Sequence, residues 1–168
     1  SYTVGETGVE LYFSTQEDAM GRILEAVENA KESIEFFIFA FTKDQVGSAF
    51  IRKQAEFEAK DIADGLVDLS SLDIDDRRTV AGVIDQSQLH SNGQYHEGYR
   101  LLSAGIPMQL DGNDNSKQPG DYQAGGGRLH SKTMVIDADG ENPIVITGSF
   151  NWSSSATVSN DEFLLVMH

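Results

Sequence analysis

The sequence contains no cysteine. That removes any disulfide framework and any thiolate nucleophile or thiolate metal ligand. No apolar run approaches the roughly 20 residues that a membrane-spanning helix needs, so no stable membrane insertion is expected. Basic residues are scarce: 12 Lys and Arg stand against 27 Asp and Glu, for a net charge of −15. This balance argues against a broad, sequence-independent nucleic-acid face, which needs clustered Lys and Arg. It leaves room for a small basic pocket inside an acidic shell. No signal peptide is recognisable. The HExxH pattern of zinc hydrolases and the GxSxG elbow of serine hydrolases are both missing. The chain starts abruptly in a polar stretch, as an excised domain would. Its lack of cysteine is compatible with secretion or a periplasmic location.

What is present is 168 residues with 39% hydrophobic content, enough for one soluble domain spanning 1–168 with a sizeable core. Its informative centre is RLHSKTMVID, residues 128–137. Leu129, Thr133, Val135 and Ile136 mark it as a strand. Side chains alternate faces along a strand, so His130 and Lys132 share one side and Asp137 faces away. A nucleophile or proton carrier with a fixed cation beside it suits attack on an anionic phosphorus centre. Beyond it lies TGSFNW, residues 147–152, which adds the small polar side chains Ser149 and Asn151.

The remaining chain alternates strand and helix patterns. Residues 9–13 read as a short strand, and Ser14 with Glu17 looks like a capping box. Met20, Ile23, Leu24 and Val27 then form the core stripe of a helix. Residues 33–42, SIEFFIFAFT, are almost wholly apolar, as in a parallel strand buried on both faces. Val46, Phe50, Lys53 and Phe57 suggest a second helix. Residues 58–78 are acidic and poor in pattern, and read as a solvated insertion without recognisable calcium-ligand spacing. Residues 79–85 form a further strand. Tyr95, Tyr99 and Leu102 fit a helical face, with Gly105 as its C′ residue. Residues 106–110 give a third short strand. The Gly-rich run 111–127 has no periodicity and could edge a pocket. Its start resembles a calcium loop, but Ser116 and Tyr122 stand where Gly and Glu are needed. Residues 144–147 and 161–167 supply the last strands. The alternation implies an α/β fold with a mixed, mostly parallel sheet flanked by helices on both faces.

His130, Lys132 and Asp137, followed by Gly148, Ser149 and Asn151, resemble the HxKxxxxD and GSxN signature of the phospholipase D superfamily. The resemblance runs through AKESIEFFIFAFT, AGVID and SAGIPMQLD to a closing Asn160-Asp-Glu162 segment. It implies a phospholipase D-like fold and phosphodiester cleavage through a covalent phosphohistidine on His130. Lys132 and Asn151 would hold the non-bridging oxygens, with Ser149 close by. Glu162 would accept a hydrogen bond from the other imidazole nitrogen. No cofactor and no metal is implied. Asp137 reads by parity as structural. Arg128 could touch substrate, since it shares a face with His130 and Lys132. Trp152 reads first as packing and second as a substrate contact.

Family enzymes usually need two such motifs, and this chain has one; Asn92 and Gly98 stand where His90 and His96 would need a lysine. The site should therefore be completed by a second phospholipase D-like half, from a homodimer or from the remainder of a longer chain. Nucleic acid phosphodiesters are the first substrate expectation. The alternatives are phospholipase D or transphosphatidylase action on phospholipid head groups, and a non-catalytic phosphate-binding or scaffolding half.

Overall fold

The structure is a computed structural model and describes residues 1–111 and 127–168. The expectations for the Gly-rich run, its calcium-loop likeness included, fall almost wholly outside the described residues. Among the described residues eight strands form one sheet: β1 (Tyr2–Val4), β2 (Thr7–Phe13), β3 (Ser33–Ile38), β4 (Thr79–Ile84), β5 (Met108–Leu110), β6 (Lys132–Ile136), β7 (Ile144–Gly148) and β8 (Phe163–Met167). Their order across the sheet is β1-β2-β8-β7-β6-β3-β4-β5. Among the described residues five α-helices accompany them: α1 (Ala19–Asn29), α2 (Asp44–Ala63), α3 (Gln86–Asn92), α4 (Gly98–Ser103) and α5 (Ser154–Val158).

The mixed α/β architecture is as read, but the sheet is not mostly parallel. Only β3 with β4 and β4 with β5 run parallel. The other five pairings are antiparallel. The helices also do not flank both faces. Ile34, Phe36 and Ile38 on β3 share one face with Met134 and Ile136 on β6. This face packs into a single core with buried residues from all five helices, including Ile23, Phe50, Leu89, Leu101 and Ala156. The opposite face is exposed or half-exposed at Phe37, Val83, Val135, Val145 and Leu165, and buried only at its Thr79 and Ala81 edge among these paired positions. In β3 the apolar Ile34, Phe36 and Ile38 face is covered, while the other carries Ser33, Glu35 and Phe37, the last 42% exposed.

Local chemistry explains most boundaries. The stripe of α2 is real: Val46, Phe50, Lys53 and Phe57 are all buried. Buried Lys53 is satisfied by the Glu28 and Ala30 carbonyls and by Glu56. The cap of α1 is Asp18, which accepts from Gly21 N, so the expected Ser14–Glu17 box does not form. Glu17 instead accepts from Phe13 N. Ser14 ties the end of β2 to the segment before β8, donating to the Asn160 carbonyl and accepting from Glu162 N.

The acidic stretch 58–78 is less of an insertion than expected. Its first six residues complete α2, and short 3-10 turns follow at Leu69–Ser71 and Ile74–Asp76. Asp61 is buried, bonded to Arg78 through backbone and guanidinium. Tyr95, Tyr99 and Leu102 face outward, and Leu101 fills the core instead. Gly105 ends α4 at φ +80°, as its type suggests.

Candidate active site

The ends of β6, β7 and β8 meet in an open cleft of about 450 Å³, lined by His130, Lys132, Gly148, Ser149, Asn151, Glu162 and Phe163. The five side chains singled out as catalytic are thus brought together. The ladder of β6 begins at Lys132, so His130 lies two residues ahead of it, outside the sheet. Lys132 pairs with Ile38 in the register of β3 and β6. Its Nζ lies 3.2 Å from His130 Nδ1 and 2.7 Å from the His130 carbonyl. Period-two alternation delivers this pair to one side.

Lys132 is almost fully buried. Burial pushes its ammonium below the usual lysine range, and the nearby Glu162 carboxylate opposes that shift. The Phe39 ring packs beside both groups: its centroid is 4.6 Å from that of His130, with the rings tilted by 53°, and 5.0 Å from Lys132 Nζ. Nothing in the sequence singles out Phe39, because one Phe within an apolar run carries no mark of its partner.

The GSxN segment is fixed by backbone. Gly148 has φ +143°, and a Cβ there would stand 2.3 Å from the Phe163 carbonyl oxygen, so no other residue fits. Ser149 N donates to Phe163 O at 3.1 Å, and Phe163 N donates back to Ser149 Oγ at 3.0 Å. The Ser149 hydroxyl keeps its own proton for a further acceptor. Asn151 Oδ1 accepts from Ala40 N at 3.3 Å, which leaves its NH₂ group to donate.

Glu162 lines the cleft but does not bond the imidazole. Its Oε1 accepts from Asn160 Nδ2 at 3.1 Å, and His130 Nδ1 is taken by Lys132. Trp152 cannot touch substrate: it is buried against Phe36, Phe41 and Phe50. Arg128 is exposed and does not line the cleft. Asp137 sits at the other end of β6, at φ +51°. Its carboxylate accepts from Lys31, Glu32 and Ser33 N, the last two at 2.7 and 3.1 Å. Among the described residues no group of three or more His, Asp or Glu could hold a metal ion, and no helix is long and apolar enough to cross a membrane.

Comparison with known proteins gives the arrangement its context. No curated protein matches the sequence. NucT from Helicobacter pylori is similar in structure with a TM-score of 0.67 at 23% identity, over 96% of this chain and 86% of that one. Nuc from Salmonella typhimurium, a phospholipase D family member, gives 0.63 at 22% identity, over 96% and 83%. A phosphatidylserine synthase from Haemophilus influenzae gives 0.54 at 10% identity, over 96% of this chain but 35% of that one. At these identities the likeness is one of fold. The family model described as "Cardiolipin synthase, PLD-like domain" matches residues 23–168. The chain belongs to the phospholipase D-like family.

Proposed function

We propose that this protein is a phosphodiesterase that works through a covalent phosphohistidine on His130. The observation that carries the reading is the cleft itself, where His130, Lys132, Ser149, Asn151 and Glu162 converge. A nitrogen of His130 attacks phosphorus; the P–N bond forms as the bond to the leaving oxygen breaks. Water or another alcohol then attacks phosphorus and releases the imidazole. Lys132 and the Asn151 NH₂ donate to the non-bridging oxygens, where charge shifts in the transition state. Ser149 Oγ can add a further donor.

The attacking nitrogen must be unprotonated. With Lys132 donating to Nδ1, the ring proton sits on Nε2. A phosphate drawing Lys132 onto its own oxygens frees Nδ1 to carry the proton, and Glu162 is then the carboxylate within the cleft that can accept it. One imidazole cannot also protonate the leaving group, so a second half supplies that acid. The cleft is open, and exposed Phe13, Phe37 and Phe163 lie on the half-exposed sheet face beside it, a surface suited to cover by a second copy. A second copy of this chain is the proposed source of that half, with the remainder of a longer chain as the alternative that the solution mass tests.

Nucleic acid is the proposed diester. The second reading, transfer or hydrolysis of a phosphatidyl group, is favoured by the cardiolipin synthase description of the matching family model. The test is turnover of bis-p-nitrophenyl phosphate in chelator, with solution mass measured on the same sample. Cleavage by a dimer that His130→Ala abolishes, with a ³²P label trapped on His130 from a labelled diester, supports the reading. Cleavage that survives His130→Ala refutes it. Single-stranded DNA and mixed phospholipid vesicles, compared as substrates, then separate the two diester classes.

A further inference from the structure

Accepting that reading of the cleft, we infer that Asp85 is a positioning residue for His130, and that it acts by clamping the backbone of Leu129. Asp85 follows Ile84 at the end of β4 and is 2% exposed. Its two carboxylate oxygens have different tasks. Oδ1 accepts from Gln88 N at 2.9 Å and from the Ser87 hydroxyl, which caps the short helix α3. Oδ2 reaches across 44 residues of sequence to accept from Leu129 N at 3.0 Å.

Capping alone does not account for this residue. Serine or asparagine caps a helix as well as aspartate does, and burying a carboxylate is costly unless its hydrogen bonds are made. The oxygen left over by the cap is the one bonded to Leu129. That residue immediately precedes His130, which lies outside the sheet ladder. The backbone around His130 is held at three points: Leu129 N by Asp85, the His130 carbonyl by Lys132 Nζ at 2.7 Å, and the Ser131 carbonyl by Phe39 N at 2.9 Å. Two of those anchors follow directly on the adjacent parallel strands β3 and β4. Among the described residues, the Asp85 bond is the one on the N-terminal side of His130. Without it the histidine is tied only from its own carbonyl onward. Misplacement of a reacting group by about 1 Å can cost on the order of 100-fold in rate.

Asp85→Ser separates the two tasks, because serine keeps the cap but is too short to reach Leu129. The experiment measures thermal unfolding, amide exchange at Leu129 by NMR, and kcat and KM on bis-p-nitrophenyl phosphate, all on the full chain. The expected result is a Tm within a few degrees of the parent and Leu129 exchange at least about tenfold faster. With these goes a kcat lower by about 10- to 100-fold at a KM within about twofold. Asp85→Asn, which keeps one acceptor oxygen at full reach, should recover part of the kcat. If Asp85→Ser does not fold, Asp85→Asn alone carries the same three measurements. Leu129 exchange unchanged from the parent overturns the clamp. A freed Leu129 amide with parent kcat overturns its role in positioning. If the unsubstituted chain cleaves no diester, the functional reading fails while the exchange measurement still decides the clamp.

Discussion

The two ends of strand β6 use charged side chains in opposite ways. At the His130 end, and among the described residues, Lys132 is buried beside an imidazole without an ion pair of its own, and Asn151 keeps its NH₂ group unspent. At the other end, Asp137 is saturated by three successive backbone N–H groups, and nearby Asp61 is matched by Arg78. One end carries unmet capacity aimed into a cleft, the other carries capacity already met within the fold. The three lettered residues of the HxKxxxxD motif are therefore not one constellation. Two serve the cleft, and the third joins the chain ahead of β3 to the end of β6.

If this contrast is right, substitutions at the two ends should separate activity from stability. His130→Ala has the largest expected effect, a kcat loss of at least about 10³-fold, with little change in Tm because His130 is exposed. Lys132→Met should lose about 10²- to 10³-fold in kcat. It should unfold at the same temperature or higher, since it relieves the chain of a buried, unpaired charge. A Tm that fell together with activity would break the comparison.

A third test concerns His96, buried behind the cleft. Its Nδ1 accepts from Gly98 N, and burial pushes its pKa down to about 4, with Asp85 opposing. The unfolded chain then binds a proton near pH 6.5 that the folded chain refuses. This contribution to stability is complete above pH 6.5 and is lost as pH falls toward 4, by about 3 kcal/mol in total. Denaturant unfolding at pH 7.5, 5.5 and 4.5 should show that slope, and His96→Gln should flatten it. The smallest effect is at the far end: Asp137→Ala should cost about 2 kcal/mol of stability and leave the kcat of the folded fraction unchanged. A selective loss of kcat there would overturn the structural reading of Asp137.

Much of the cleft was legible because its residues recur at fixed spacings on strands whose apolar pattern is strong. His130 and Lys132 follow from period two, and the stripe of α2 follows from period 3.6. Sheet direction was not legible. A run such as SIEFFIFAFT shows that its residues are apolar, not that both faces are covered, and in β3 only one is. The inward side of α4 was also lost, since Tyr95 and Tyr99 are apolar enough to mimic a core stripe. Asp61 and Asp85 were hidden for a different reason. Their partners, Arg78 and Leu129, lie 17 and 44 residues away, and no local pattern encodes a tertiary hydrogen bond.

The packing of Trp152 has a practical consequence. It is the chain's single tryptophan, set directly after Asn151 and enclosed by Phe36, Phe41 and Phe50. Its fluorescence should be blue-shifted in the native protein and move to the red when the aromatic cluster under the cleft opens. Emission at one wavelength therefore reports on the His130 end of the sheet alone, and its difference from far-ultraviolet circular dichroism would reveal whether that end melts ahead of the rest.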